Sequence, residues 1–124
     1  WTFLTDLDET VELLRWIDCP SLGLVFDVYH LGQDETVVQR LPEIASLIAL
    51  VQLGDAKLPP QDGEQNRCRL GEGSIPLTEI MRCLIAAGYG GYFDVELMGE
   101  DLDCPDYGEL IAHSKQAFEK MLAI

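Results

Sequence analysis

Two rhythms of apolar and polar positions alternate along the chain and mark its elements. Residues 5–18 carry Leu7, Val11, Leu14 and Ile17 at helical spacing, and Asp6 with Glu9 three positions later forms a capping-box start. Pro20 stops that helix. Residues 22–27, LGLVFD, are too short and too continuously apolar for a surface helix, so they predict a buried parallel strand. Helical spacing returns over 34–46 through Val37, Val38, Leu41, Ile44 and Ala45, with Pro42 expected to kink or split the helix. Residues 47–53 predict a second strand. The stretch 54–73 holds Pro59, Pro60, Gly63, Gly71 and Gly73 without a period, and a loop of that length in a compact domain is expected to be a lid or binding loop. A helix over 76–87 has Pro76 near its first turn and Gly88 at its stop. A third strand follows over 92–97. The last helix, 106–122, opens on Asp106 with Glu109 and carries Leu110, Ile111, Ala117, Phe118, Met121 and Leu122.

A helix followed by three strand-helix units calls for an α/β fold with a parallel sheet and right-handed crossovers. Three parallel strands alone leave two edges unpaired and one face poorly covered, so further strands are expected from elsewhere. The chain opens on Trp1 rather than Met, which reads as a processed chain or a piece of something longer.

Composition narrows the picture. The 124 residues suit one domain, and 48% hydrophobic with 24% charged residues is ordinary for a soluble globular protein. Net charge is -14, from 22 acidic against 8 basic residues, which repels a phosphate backbone and disfavours nucleic-acid binding. Cys19, Cys68, Cys83 and Cys104 are scattered with no CxxC and no signal-peptide-like start, which suits reduced thiols in a cytoplasm. No apolar run approaches the roughly 20 residues needed to span a bilayer.

In parallel α/β folds the working groups sit where strands end and substrate-facing loops begin. Asp27, Gln52 and Glu96 fall at or near that position on three different strands. Two carboxylates and an amide oxygen are hard donors, suited to Mn²⁺ or Mg²⁺ more than to a thiolate-type zinc site. Bland readings compete: Asp27 as a helix cap, Gln52 as a satisfied core amide. Glu96, flanked by Val95, Leu97 and Met98, is harder to dismiss, because an unpaired carboxylate there would be costly to bury. Asp94 shares the parity of Glu96 and reads as structural, pointing inward one layer lower. His113 reads as a surface or packing residue, and Asp55 and Lys57 as loop charges at the edge of a pocket.

The runs LGLVFDVYHL, VQLGDAK, NRCRLGEGSIP and GYGGYFDVELMGE, in that order, resemble the C-terminal half of the sugar phosphate isomerase/epimerase group within the xylose isomerase-like TIM barrels. The resemblance covers nearly the whole chain. It implies that residues 1–124 are one partial domain, the C-terminal portion of a TIM (β/α)8 barrel with about three strands and about four to five helices. It implies one divalent metal, with Asp27 and Glu96 as ligands, Glu96 serving also as catalytic acid/base. Gln52 stands where sugar epimerases usually have a metal-binding histidine; members resembling 3-dehydroshikimate dehydratase use glutamine there. His30 matches the histidine of Asp-x-x-His, a substrate contact, and Arg67 matches an arginine that grips substrate oxygens. The family's remaining metal glutamate would lie upstream of Trp1.

The expected activity of the parent protein is that of an isomerase or epimerase on a sugar or related polyhydroxy carbonyl compound, by proton transfer through a metal-stabilised enediolate. Mn²⁺ or Mg²⁺ is the expected ion, with Co²⁺ and Zn²⁺ as further candidates. The expected partners are a small sugar-like molecule and either the missing N-terminal half-barrel or another copy of the chain. Two other readings stay open: a 3-dehydroshikimate dehydratase-like lyase, which starts with the same proton abstraction, and a non-catalytic half-barrel that assembles with a partner. An apurinic-site endonuclease shares the barrel but needs many histidines; this chain has two, and shows Asn66 and Cys68 where that enzyme has an Asp-x-His pair.

Overall fold

The computed structural model describes residues 6–34, 36–57, 66–98, 102 and 106–123. Asp6 caps helix α1 (Leu7–Ile17) by accepting from the Glu9 N–H at 3.0 Å, the contact the capping box predicts. Asp18 ends it in the left-handed region, at φ 46°. Strand β1 (Leu24–Asp27) leads into a single helical turn, α2 (Val28–Leu31), and then α3 (Val37–Ile44). A 3₁₀ turn over Ala45–Leu47 connects α3 to β2 (Ile48–Leu53). Next come β3 (Asp55–Ala56) and β4 (Arg67–Cys68), then α4 (Leu77–Ala86), β5 (Tyr92–Val95) and α5 (Tyr107–Leu122).

Three strands form one parallel sheet in the order β1-β2-β5, so the strand-helix units expected from the periodicity are present. Phe26 pairs with Val51 and Val51 with Phe93, and this parity faces the helices. Phe26, Val51, Leu41, Ile80 and Leu84 are all fully buried in the layer between sheet and helices. The opposite parity, Val25, Gln52, Tyr92 and Asp94, lines the face that no helix covers among the described residues; Val25 is 49% and Tyr92 83% exposed. Among the described residues both outer strands, β1 and β5, have an unpaired edge.

Pro42 sits inside α3 without breaking it. A proline there removes the hydrogen bond to the carbonyl four residues back, that of Val38. The Cys83 thiol on α4 lies 3.5 Å from the Val38 carbonyl oxygen and donates to it, so the neighbouring helix satisfies the acceptor. The helix instead starts later than its pattern suggests, at Val37, after Asp34 has turned the chain by accepting from the N–H and hydroxyl of Thr36. Gly88, at φ 89°, ends α4 as expected, with Tyr89 N–H returning to the Leu84 carbonyl at 2.9 Å.

The stretch 54–73 differs from the structureless loop its composition suggests. Asp55–Ala56 and Arg67–Cys68 pair as a short antiparallel ribbon. Residues 58–65, between the two strands, lie outside the described residues, as do Cys104 and the first residue of the helix predicted from Thr5. Among the described residues Cys19 is exposed and Cys83 half-buried, and neither is in a disulfide. Among the described residues no helix is long and apolar enough to cross a membrane.

Candidate active site

Asp27 closes β1, and the parallel register puts it opposite Gln52 on β2, which in turn lies opposite Asp94 on β5. Register partners on parallel strands point to the same face, and Glu96, two residues past Asp94, keeps that parity. The strand predicted over 92–97 ends at Val95, but Glu96 N–H still donates to the Leu53 carbonyl at 3.0 Å, so the backbone of Glu96 continues the ladder by one bond. With strands about 4.8 Å apart and a rise of about 3.3 Å per residue, the Gln52 and Glu96 Cα atoms are about 8 Å apart, within reach of two long side chains. Asp27, Gln52 and Glu96 therefore share one face at the C-terminal ends of three adjacent strands.

Asp27 is the helix cap that its sequence allowed, with its second carboxylate oxygen left free of that role. One carboxylate oxygen accepts from the Tyr29 N–H at 2.9 Å and caps α2. The other, Oδ2, faces the His30 Nε2 at 3.7 Å. The His30 ring, one turn on, stands largely exposed over the mouth of this face. Gln52 is half-buried, and Asp94, expected to point inward below Glu96, shares the face and is exposed, with none of the described residues covering it.

Arg67 is brought in by the ribbon. It is 6% exposed, and its Nη1 is buried without a hydrogen-bond partner, 3.8 Å from Glu96 Oε2. A buried guanidinium nitrogen left unpaired is costly, so it is poised to take an acceptor. The guanidinium carbon of Arg67 lies over the Tyr29 ring, 3.8 Å from its centroid. Gly54 makes room for this stack: a Cβ there would sit 3.0 Å from Tyr29 Cβ and 3.2 Å from Arg67 Nη1.

Asp55 is a correction to the expectation of a pocket-edge charge. It is 2% exposed, and its carboxylate accepts from the N–H groups of Ala56, Gly71 and Gly73 at 2.9 Å each and of Ile75 at 3.4 Å. It holds the Gly-Glu-Gly turn together. Lys57 beside it is exposed. His113 packs α5 against the same turn, its Nε2 3.0 Å from the Leu70 carbonyl oxygen, as expected of a packing residue. Tyr29 and Asn66 were not picked out from sequence; their only signal is adjacency to His30 and Arg67.

Residues 1–121 match the family model of the xylose isomerase-like TIM barrel. The chain belongs to that family. Over 96 residues it is 27% identical to a 3-dehydroshikimate dehydratase of Pseudomonas putida, a match covering 72% of this chain and 15% of that protein. The IOLI protein, solved with a bound zinc atom, superposes with a TM-score of 0.81 at 19% identity, covering 94% of this chain and 43% of that one. D-psicose 3-epimerase of Clostridium cellulolyticum H10, solved with D-tagatose, gives 0.70 at 19% identity, covering 98% and 44%. The last two likenesses show the fold: a parallel three-stranded portion of the barrel. This xylose isomerase-like chain spans less than half the length of these solved relatives and about a sixth of the dehydratase.

The donor set can be judged on its chemistry. Among the described residues no three His, Cys, Asp or Glu side chains group closely enough to hold an ion. Asp27 and Glu96 are two carboxylates, and the third oxygen on their face belongs to the amide of Gln52. Hard oxygen donors of this kind fit a divalent ion such as Mn²⁺ or Mg²⁺.

Proposed function

We propose that the parent protein is a divalent-metal-dependent isomerase or epimerase acting on a sugar or related polyhydroxy carbonyl compound. The observation that carries this reading is the shared face of Asp27, Gln52 and Glu96, with the unpaired Nη1 of Arg67 beside it. Asp27, Gln52 and Glu96 would hold the ion, which when bound supplies a Lewis acid to substrate oxygens. Glu96 takes the proton from the carbon next to the carbonyl; the electron pair of that C–H bond forms a C=C bond to the carbonyl carbon as the carbonyl π pair moves onto oxygen. Arg67 donates from Nη1 to a substrate oxygen, and His30, at the mouth, contacts a hydroxyl or carbonyl. Return of a proton to the opposite face of the same carbon gives an epimer; return to the neighbouring carbon gives an isomer. The second base and the remaining strands come from the other half of the barrel or from another copy of the chain, which would also cover Val25, Tyr92 and the open edges of β1 and β5. The chain alone is expected to be inactive, and the compartment expected from its reduced thiols is the cytoplasm.

A second reading is favoured by Gln52 in place of histidine and by the dehydratase likeness. The same abstraction by Glu96 would then be followed by loss of a hydroxyl, protonated to leave as water, from the carbon adjacent to the one deprotonated, giving a conjugated carbonyl product. The test runs the assembled barrel with MnCl₂ in D₂O. Deuterium entering a ketose, with loss of about 10²-fold or more in the Glu96→Gln variant, supports the first reading. A new ultraviolet absorbance from a cyclic hydroxy-ketoacid, equally dependent on Glu96, supports the second. Neither signal, across a panel of ketoses and hydroxy-ketoacids, would refute both.

A further inference from the structure

Tyr29 touches more of this site than any residue assigned a role in it. Its N–H donates to Asp27 Oδ1 at 2.9 Å, its ring lies under the Arg67 guanidinium at 3.8 Å, and its edge meets the His30 ring at 5.0 Å between centroids and 78° between planes. Its hydroxyl donates to Asn66 Oδ1 at 2.9 Å. Asn66 is locked in turn, because its Nδ2 donates to the Lys57 carbonyl at 2.8 Å while Lys57 N–H donates to the Asn66 carbonyl, also at 2.8 Å. These two bonds close the ribbon that carries Arg67.

We propose that Tyr29 is the positioning residue for Arg67: its ring holds the buried guanidinium in place, and its hydroxyl, through Asn66, anchors the ribbon, so that Nη1 stays unpaired and aimed beside Glu96. This rests on the functional reading above, in which Arg67 grips a substrate oxygen. The physical reasoning is a comparison of alternatives for a buried cation. Nη1 lies 3.8 Å from Glu96 Oε2, too far for a hydrogen bond, although a small rotation of the arginine would close the gap. A closed pair would use up both the base and the grip. Face-on stacking supplies attraction to the cation without occupying its N–H donors, which point outward in the guanidinium plane. A leucine of similar bulk would fill the space but offer no such attraction. The hydroxyl adds a second constraint from the other side, since Asn66 immediately precedes Arg67 in the chain.

The test reads the arginine directly, on the assembled barrel with ¹⁵N-labelled arginine confined to this chain and no metal or substrate added. The five arginines are resolved by their side-chain N–H signals, and that of Arg67 is assigned by its loss in Arg67→Lys. Over a ring face, those protons are expected upfield of the signals of the other four, and protected from solvent. Tyr29→Phe keeps the ring and is expected to retain the upfield position while exchange with water quickens about fivefold, the loss of one hydrogen bond. Tyr29→Leu is expected to lose the upfield position altogether. Thermal midpoints of both variants separate this from unfolding: the phenylalanine variant, close to wild type in stability, must rescue the ring-dependent signal. The proposal is overturned if Tyr29→Leu leaves the Arg67 signals in place, or if Tyr29→Phe displaces them as far as leucine does. Binding of MnCl₂ by the same variants is measured separately. Absence of Mn²⁺ binding in the wild type would count against the metal-dependent reading, while the arginine signals decide the role of Tyr29 alone.

Discussion

Replacing Asp55 by asparagine tests whether one buried carboxylate organises the turn between β4 and α4. The side chain takes three N–H donors at 2.9 Å and a fourth at 3.4 Å, and it is 2% exposed, so solvent screens little of this. Asparagine keeps one acceptor oxygen and turns an NH₂ toward donors; with its oxygen in the place of Oδ2 it keeps the bonds from Gly71 and Gly73 and loses the short bond from Ala56 and the longer one from Ile75. Hydrogen bonds to a charged group contribute about 1.5–3 kcal/mol each, and the sum must be discounted for their shared acceptor and for water reaching the exposed Gly71. A loss of about 2–3 kcal/mol is expected, a large share of a domain stability of about 5–15 kcal/mol. Urea unfolding followed by circular dichroism should show a lower midpoint with an unchanged slope. Amide exchange at Gly71 and Gly73 should quicken more than at the fully buried strand residues Phe26 and Val51. A variant within about 0.5 kcal/mol of wild type would show that the carboxylate is incidental, since that is the scatter of neutral surface changes.

Acid should loosen α1 from α3. Asp8 is bonded to Arg40, which also lies 3.6 Å from Glu43, and Arg15 reaches Glu43 at 3.1 Å. The hydrogen bond from Arg40 holds the Asp8 carboxyl below its ordinary value of 3.8. A depressed carboxylate stabilises the fold above that ordinary value and loses its contribution as pH falls through the lower folded one. Amide exchange in α1 should thus rise below about pH 4 in the wild type and change less steeply in Asp8→Asn; equal profiles would contradict the pairing. Gly54→Ala puts a methyl 3.0 Å from Tyr29 Cβ and 3.2 Å from Arg67 Nη1, and overpacking of about 1–3 kcal/mol is expected in thermal unfolding; no change would mean the stack has slack. Gln52→His should keep metal binding but shift preference from Mn²⁺ toward Zn²⁺ in calorimetric titration, because imidazole is the softer donor; complete loss of binding would be the contrary result.

How much of this could be seen in the sequence depended on the range of the interaction. Both capping boxes, Asp6 with Glu9 and Asp106 with Glu109, lie within one turn, and both form as their spacing requires. The apolar runs around Phe26 and Val51 became buried strands because continuous hydrophobicity over so few residues leaves little alternative. Strand parity was enough to put Asp27, Gln52 and Glu96 on one face. The single turn α2 was missed, being too short to show a period. The ribbon of Asp55–Ala56 with Arg67–Cys68 was also missed, since two-residue strands carry no alternation. Asp55 was misread because three of its four partners lie 16 to 20 residues away, and local charge says nothing about distant backbone donors. The stack of Arg67 on Tyr29 likewise joins positions far apart in the chain. Pro42 did not split α3, and the Val38 carbonyl it leaves without a helical partner accepts from Cys83 on the neighbouring helix.

The central claim is that Asp27, Gln52 and Glu96 direct their oxygens at one divalent ion. A crystal structure of the assembled barrel grown with MnCl₂, with the metal located by its anomalous signal, tests this most directly. The account predicts a single Mn²⁺ within about 2.0–2.5 Å of an oxygen from each of the three side chains, with Arg67 Nη1 still beside Glu96 and not hydrogen-bonded to it. An ion bound elsewhere, or Gln52 and Glu96 turned apart with no metal between them, would contradict it.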